Sequence, residues 1–377
     1  MTIAVRLETS HLKSSSTPFE MGFRLVLVPE STAKASNFHY VILLDTSSSM
    51  KDKFSLAVDG MRGMIERMPK GNFVSIITFS DEAKIIAEHV SPDSALSSVV
   101  GLVPLGRTAL FSALNLAAKI ANRWEDPTKI IVLTDGFPTD VPIKEAYGNI
   151  KFPERSNIIA IGVGTEYNEE ILQSVVEKSN GIFYHIESPE EIPDVFTENA
   201  VEEISAKDVR VELTSPSSVS LINFSSNPIY LGFLEGVVRI YGKVHVPSNF
   251  SGAILTVKVV YQDAVTNRKI EQTLQANVTP STSHQEFLSS INKEVQADVN
   301  YQSVLMSLPS VIDNSVEATK KLTKLNELAN QTKRLDIIEY TRKLSQDVEN
   351  TKKLGSSDST KKLVYSEVTR KLRSNSE

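Results

Sequence analysis

Cysteine is absent from the sequence. Its absence excludes a disulfide framework and any thiolate metal site, and it fits a reducing compartment. A basic excess is absent too. The net charge is −6, which argues against a general nucleic-acid binder, because phosphate backbones select basic surfaces. No apolar run approaches the ~18 residues of a membrane-spanning helix. The opening "MTIAVRLETS" lacks the basic start and long apolar stretch of a secretory signal. A cytoplasmic protein with no membrane contact is therefore expected. Catalytic motifs are missing as well. His11, His39, His89, His185, His245 and His284 are scattered, with no His-Glu-x-x-His pair. There is no Gly-x-Ser-x-Gly elbow. "GVGTEYN" (162–168) starts like a phosphate loop but lacks a third Gly and a Lys-Ser/Thr ending. The expectation is a protein that is not an enzyme. His39 and His185 fall in strand-like runs and read as packed side chains, not ligands.

What is present is the composition of a soluble protein with two or three domains: 377 residues, 41% hydrophobic and 23% charged. Residues 1–36 hold two strand-like runs, "TIAVRL" and "GFRLVLV", around the Ser-rich "HLKSSSTP". Over 37–203, strand runs such as "YVILLD", "FVSIITFS", "KIIVLTDG" and "NIIAIGVG" alternate with helical text. Runs apolar at nearly every position suit strands covered on both faces. The alternation predicts a Rossmann-like, doubly wound parallel sheet, with room for one antiparallel edge. Over 204–282 the strands return without helices, in "DVRVEL", "VVRIYGKVHV" and "ILTVKVVY". This stretch is short for a complete β-sandwich. The strands of 1–36 are expected to join it, which makes 37–203 an insertion. Residues 283–353 read as a three-helix bundle whose first helix runs from His284 to near Pro309. Residues 354–377, with Gly355 and many Ser and Thr, read as a flexible basic tail. The spacing of Val364, Val368 and Leu372 allows a short helix within it, over 361–373. The fold class is multi-domain: α/β plus β plus α.

One short stretch asks for chemistry. "DTSSSM" (45–50) follows the buried run "HYVILL". Ser and Asp favour turns, so a plain turn is one reading. A cation held by Asp45, Ser47 and Ser49 is the other. Ligands gather beyond the carboxyl ends of strands in open α/β sheets. Asp135 occupies the matching place in "LTDGFPTD", and Thr108 lies in "PLGRTALFSAL", a loop opening a helix. Together they offer two carboxylates and three hydroxyls, a hard-oxygen set suited to Mg²⁺. Hydroxyls leave the ion under-neutralised, so an acidic group from a partner would find an open position. The spacing of Ser48 turns it out of the two-residue alternation, and Asp140 reads as a solvated loop acid.

"DTSSSM", "GRTAL" and "VLTDG" resemble the metal-ion-dependent adhesion site (MIDAS) of von Willebrand factor type A domains, in the family's order. The resemblance covers roughly 37–203. It implies Mg²⁺ or another divalent cation on Asp45, Ser47, Ser49, Thr108 and Asp135. Arg107 departs from the family, which often has a second Gly there. A cation at that place is expected to weaken metal binding or to pair with an incoming acid.

A second pattern fills the last sixty residues. Thr-base-base-Leu occurs at Thr319, Thr332, Thr341, Thr351, Thr360 and Thr369. The first three copies lie in helical text with Leu facing inward. The last three are nine residues apart, which turns Leu354, Leu363 and Leu372 by half a circle each time at about 100° per residue. Residues 351–377 carry seven Lys/Arg, three Asp/Glu and nine Ser/Thr, a charge of +4. Each phosphate adds about −1.5 to −2, so about three of them reverse the sign. Thr351, Thr360 and Thr369, each with Leu at +3, resemble phosphothreonine ligands of forkhead-associated (FHA) domains. A solvated basic tail is the plainer alternative.

The whole layout resembles the von Willebrand type A regulators of the archaellum network in thermoacidophilic archaea. That resemblance implies a cytoplasmic repressor of archaellum expression, an ArnA-like FHA-domain partner, and Ser/Thr protein kinases with a phosphatase. In architecture alone it is similar to the inner coat proteins of vesicle transport. Two other readings stay open: a MIDAS-dependent adhesin, and a type A assembly subunit of an ATPase or chelatase.

Overall fold

The computed structural model describes residues 3–353, apart from 178 and 180, and residues 357–373. The chain divides into two compact units, one of 32–208 with 230–235, the other of 1–31, 209–229 and 236–377.

The first unit is built on a six-stranded sheet in the order Ile182–Ile186, Ser156–Val163, Thr128–Thr134, His39–Asp45, Phe73–Phe79, Ala83–Val90. Neighbours pair in parallel except for Ala83–Val90, which runs antiparallel at the edge. The central strands are apolar because helices cover both faces; every residue of His39–Asp45 and Thr128–Thr134 is buried. Helix Phe54–Arg67 buries Phe54, Ala57, Met61, Met64 and Ile65, an i, i+3, i+4 stripe. His39–Asp45 and Thr128–Thr134 are adjacent, although the chain leaves the first toward Phe73–Phe79 on its other side. The strand order reverses between them, which makes their carboxyl ends the switch point.

In the second unit, Ile3–Thr9 pairs antiparallel with Phe19–Pro29, which pairs in turn with Val238–Val246. The N-terminal strands thus share one sheet with strands that follow the α/β unit in sequence. A further sheet places Gly252–Asp263 between Ala206–Thr214 and Lys269–Pro280. The period-two burial of Ala206–Thr214, with Val209, Val211 and Leu213 inside, follows from one covered face.

The helical region differs from the expected three-helix bundle. The first stretch breaks into His284–Ser289 and Lys293–Ser307, because the Asn292 side chain accepts from Val295 N and starts a new helix. Ser315–Thr332 and Leu335–Lys353 follow, and Ser357–Arg373 adds a fourth long helix. The last segment is therefore no flexible tail across 357–373. Val364 and Val368 enter the same apolar cluster as Tyr301, Leu305, Leu325, Ile337, Leu344 and Val348. Burial of those side chains outweighs the weak helix signal of the Ser-rich sequence. Leu354 and Gly355, and residues 374–377, lie outside the described residues, as does the side chain of Leu372. No helix of the described residues is long and apolar enough to cross a membrane.

Candidate metal centre

Asp45 ends the central strand and is fully buried. Its two oxygens are held separately: Oδ1 accepts from Ser47 N at 2.8 Å and Oδ2 from Thr134 Oγ1 at 2.6 Å. Parallel pairing sets that second bond, because Leu44 faces Leu133 in register. Burial pushes the Asp45 carboxyl up to about 6; the Ser47 and Thr134 hydrogen bonds pull it down, and the nearby Asp135 charge raises it.

Three segments converge on this point. The Ser47 and Ser49 hydroxyls lie 3.0 Å apart, and Ser49 Oγ donates to Asp135 Oδ1 at 2.6 Å. Gly136 brings in Thr108: a Cβ on Gly136 would stand 2.8 Å from Thr108 Oγ1 and 3.7 Å from Ser49 Oγ. Thr139 ties the two loops, its N–H donating to Thr108 O at 2.9 Å and its hydroxyl accepting from Thr108 N at 3.1 Å. Asp140 is more than a solvated acid, since it caps helix Leu110–Arg123 by accepting from Phe111 N and Ser112 N. Leu105 N donates to Thr46 O, and Gly106 N to the Ser48 hydroxyl, so Ser48 is turned to that loop.

The structure thus gathers Asp45, Ser47, Ser49, Thr108 and Asp135 at the carboxyl end of the sheet. Two buried carboxylates and three hydroxyls packed around a glycine fit a small hard cation that keeps some of its waters. Among the described residues, no three His, Cys, Asp or Glu side chains form a metal-holding group.

Two charged residues depart from the sequence expectation. Arg107 does not face the site; its guanidinium is exposed and its Nε donates to Asp81 Oδ1 at 3.0 Å. The cation at the site is Lys53, whose Nζ lies 2.5 Å from Asp135 Oδ2. Sequence reasoning missed Lys53 and Thr134. The available signals were a base four residues after Ser49, at a helix start, and a hydroxyl next to Asp135. His39 and His185 are packed side chains, with ring nitrogens against Ser75 Oγ at 2.7 Å and Tyr167 OH at 2.7 Å.

The C-terminal threonines are also placed differently from expectation. Thr351, Thr360 and Thr369 are all buried. Thr351 Oγ1 donates to Asp347 O at 2.8 Å and Thr369 Oγ1 to Ser366 O at 3.0 Å. Thr360 and Thr369 lie nearly opposite on one helix, yet both are covered, and no residue from Ser359 to Lys371 is exposed.

Fold and oxygen-lined edge define a von Willebrand factor type A domain, and the family model of that description matches residues 40–198. A second family model, Archaellum regulatory network B, C-terminal domain, matches residues 293–374, so the chain carries both domains. The chain is similar over its whole length to the ArnB paralog VWA2 from Sulfolobus acidocaldarius: TM-score 0.85, 28% identity, 100% of both chains covered. A von Willebrand factor type A protein from Catenulispora acidiphila shares the fold, with TM-score 0.68, 16% identity and 91% and 90% covered. So does the human COPII-coat protein Sec24c, with TM-score 0.59, 11% identity and 89% and 58% covered. An uncharacterized protein of Synechocystis is 26% identical over 165 residues, 41% of this chain and 39% of its own length. The two domains together support a regulatory, interaction-type role.

Proposed function

We propose that the chain is a non-enzymatic protein–protein interaction scaffold of an archaellum regulatory network, working in the cytoplasm. Ser/Thr phosphorylation of its C-terminal helix controls it, and an ArnA-like FHA-domain protein is its partner. Ser/Thr kinases and a phosphatase set the state, and the output is repression of archaellum expression. The single observation behind this reading is that the match to the network's C-terminal domain, 293–374, takes in Thr351, Thr360 and Thr369.

Burial of those threonines gives the control a physical form. A phosphate dianion has no place against a packed helix face, and a kinase needs an extended, open substrate. Ser359, Thr360, Lys362, Ser366 and Thr369 are polar yet buried, with Lys362 Nζ paired to Asp358 and Thr369 Oγ1 donating to Ser366 O. The helix leaves its groove, is phosphorylated, and is then kept out. A docked helix and an FHA-bound phosphothreonine exclude each other.

In the type A domain, Asp45, Ser47, Ser49, Thr108 and Asp135 hold Mg²⁺ or another divalent cation. The bound ion supplies a coordination position that an acidic side chain can fill. Leu105 and Phe137, 74% and 55% exposed, flank the donor loops and favour a second contact there, with an acidic, partly apolar partner surface.

A pull-down from native cells, with and without phosphatase treatment, tests the reading. Recovery of an FHA-domain protein only from the untreated sample is expected. Equal recovery from both, or none from either, contradicts it.

A further inference from the structure

We propose that Lys53 is a built-in counter-ion that competes with the divalent cation for Asp135, giving the edge an ammonium-held and a metal-held state. This rests on reading the edge as a metal site.

Lys53 is anchored before it reaches the site. Its N–H donates to Met50 O at 2.9 Å, and its carbonyl accepts from Ala57 N at 3.0 Å in the first turn of Phe54–Arg67. From there the side chain extends to Asp135 Oδ2 at 2.5 Å. The Asp135 side chain is fully buried, while that of Lys53 is 26% exposed. The acid is therefore fixed, and the base has a path to water. Its stem is flexible and its head is a compact point charge, which lets it swing out.

The charge balance calls for such a group. Two buried carboxylates stand together, and hydroxyls and one backbone N–H answer them only in part. Without a cation this pair is strongly unfavourable. Arg107 does not supply one, because it is engaged by Asp81. Lys53 does, and it takes the oxygen of Asp135 that Ser49 leaves open. A divalent ion arriving among the hydroxyls meets that ammonium as a like charge sharing one carboxylate. Metal binding then includes the displacement of Lys53. The folded edge does not depend on metal, and affinity for it is set below what the oxygen ligands alone would give.

Calorimetric titration of the full chain with Mn²⁺ tests this, using wild type, Lys53→Met, Lys53→Gln and Asp45→Ala. Thermal unfolding in EDTA accompanies each. Both Lys53 variants are expected to bind Mn²⁺ about tenfold tighter than wild type, as removal of a nearby like charge requires. They are also expected to melt at lower temperature in EDTA and to regain the loss with Mn²⁺. Either folded variant suffices, so failure of one to fold does not block the result. Unchanged or weaker binding in Lys53→Met or Lys53→Gln, with binding lost in Asp45→Ala, overturns the role of Lys53 alone. Wild-type Mn²⁺ binding in Asp45→Ala, or no binding in wild type and Lys53 variants alike, overturns the metal edge and the proposal with it.

Discussion

Ser49 Oγ donates to Asp135 Oδ1 at 2.6 Å across 86 residues of sequence. The bond joins the loops after two adjacent parallel strands, and Thr108 completes the group through its approach to Gly136. The glycine is a steric requirement, since any Cβ there meets Thr108 Oγ1 at 2.8 Å. Gly136→Ala should displace the Thr108 hydroxyl at about 1–3 kcal/mol of overpacking. The fold should survive, and Mn²⁺ affinity should fall about tenfold or more, as for other changes that disturb ligand placement. Titration beside a urea melt separates the two effects.

His39 makes the α/β unit sensitive to acid. Burial holds its imidazole down to about 3, with the His89 and Arg155 charges adding to the effect, and its Nδ1 has no hydrogen-bond partner among the described residues. The folded state therefore binds fewer protons than the unfolded chain between about 3 and 6.5. Stability from this group is complete above pH 6.5 and is lost as pH falls below it. The loss should reach about 2 kcal/mol between pH 7 and pH 5. Urea midpoints at both pH values measure it, and His39→Asn should show a shallower decline. Equal declines in the two proteins would count against the assignment.

Asp298 fastens the helices to the sandwich. Its buried carboxylate accepts from Arg24 Nη1 at 2.7 Å and Tyr241 OH at 3.1 Å, and Arg334 Nη1 lies 3.6 Å away. Asp298→Ala leaves Arg24 in a largely buried place without that partner. A loss of about 3–5 kcal/mol is expected, as for other broken buried pairs. Asp298→Asn should lose less, because it still accepts hydrogen bonds. Denaturant unfolding of the two variants checks the order.

The C-terminal helix should release when its threonines become charged. Thr360→Glu with Thr369→Glu places two carboxylates where the side chains are buried. Amide exchange across 357–373 should accelerate strongly, while exchange in His39–Asp45 stays as in wild type. Thr360→Val with Thr369→Val keeps the shape and should leave the helix protected. Protection unchanged in the Glu variant would contradict release.

The fold was largely legible because burial on both faces writes continuous apolar strands, as in "HYVILL", and a single covered face writes alternation, as in "DVRVEL". The insertion followed from strand counting, and pairing of Phe19–Pro29 with Val238–Val246 realises it. That Asp45, Ser47, Ser49, Thr108 and Asp135 meet at one edge was readable because strand ends and spacing fix where such residues lie. Lys53 was missed and Arg107 misplaced for one reason: a long charged side chain is directed by whichever acid stands within reach, and sequence distance does not reveal that acid. Ser357–Arg373 was read as a tail, with only a short helix allowed over 361–373, because its composition is that of a solvated segment. Its packing partners, Tyr301, Leu305 and Leu344 among them, lie in other helices. Tertiary burial overrode local propensity there.

The most direct test is anomalous diffraction from crystals of the full chain grown with Mn²⁺. One strong peak is predicted within bonding distance of the Ser47, Ser49 and Thr108 hydroxyls, with Lys53 turned away from Asp135. A map with Mn²⁺ bound elsewhere, no peak at this edge, and Lys53 still on Asp135 would contradict it.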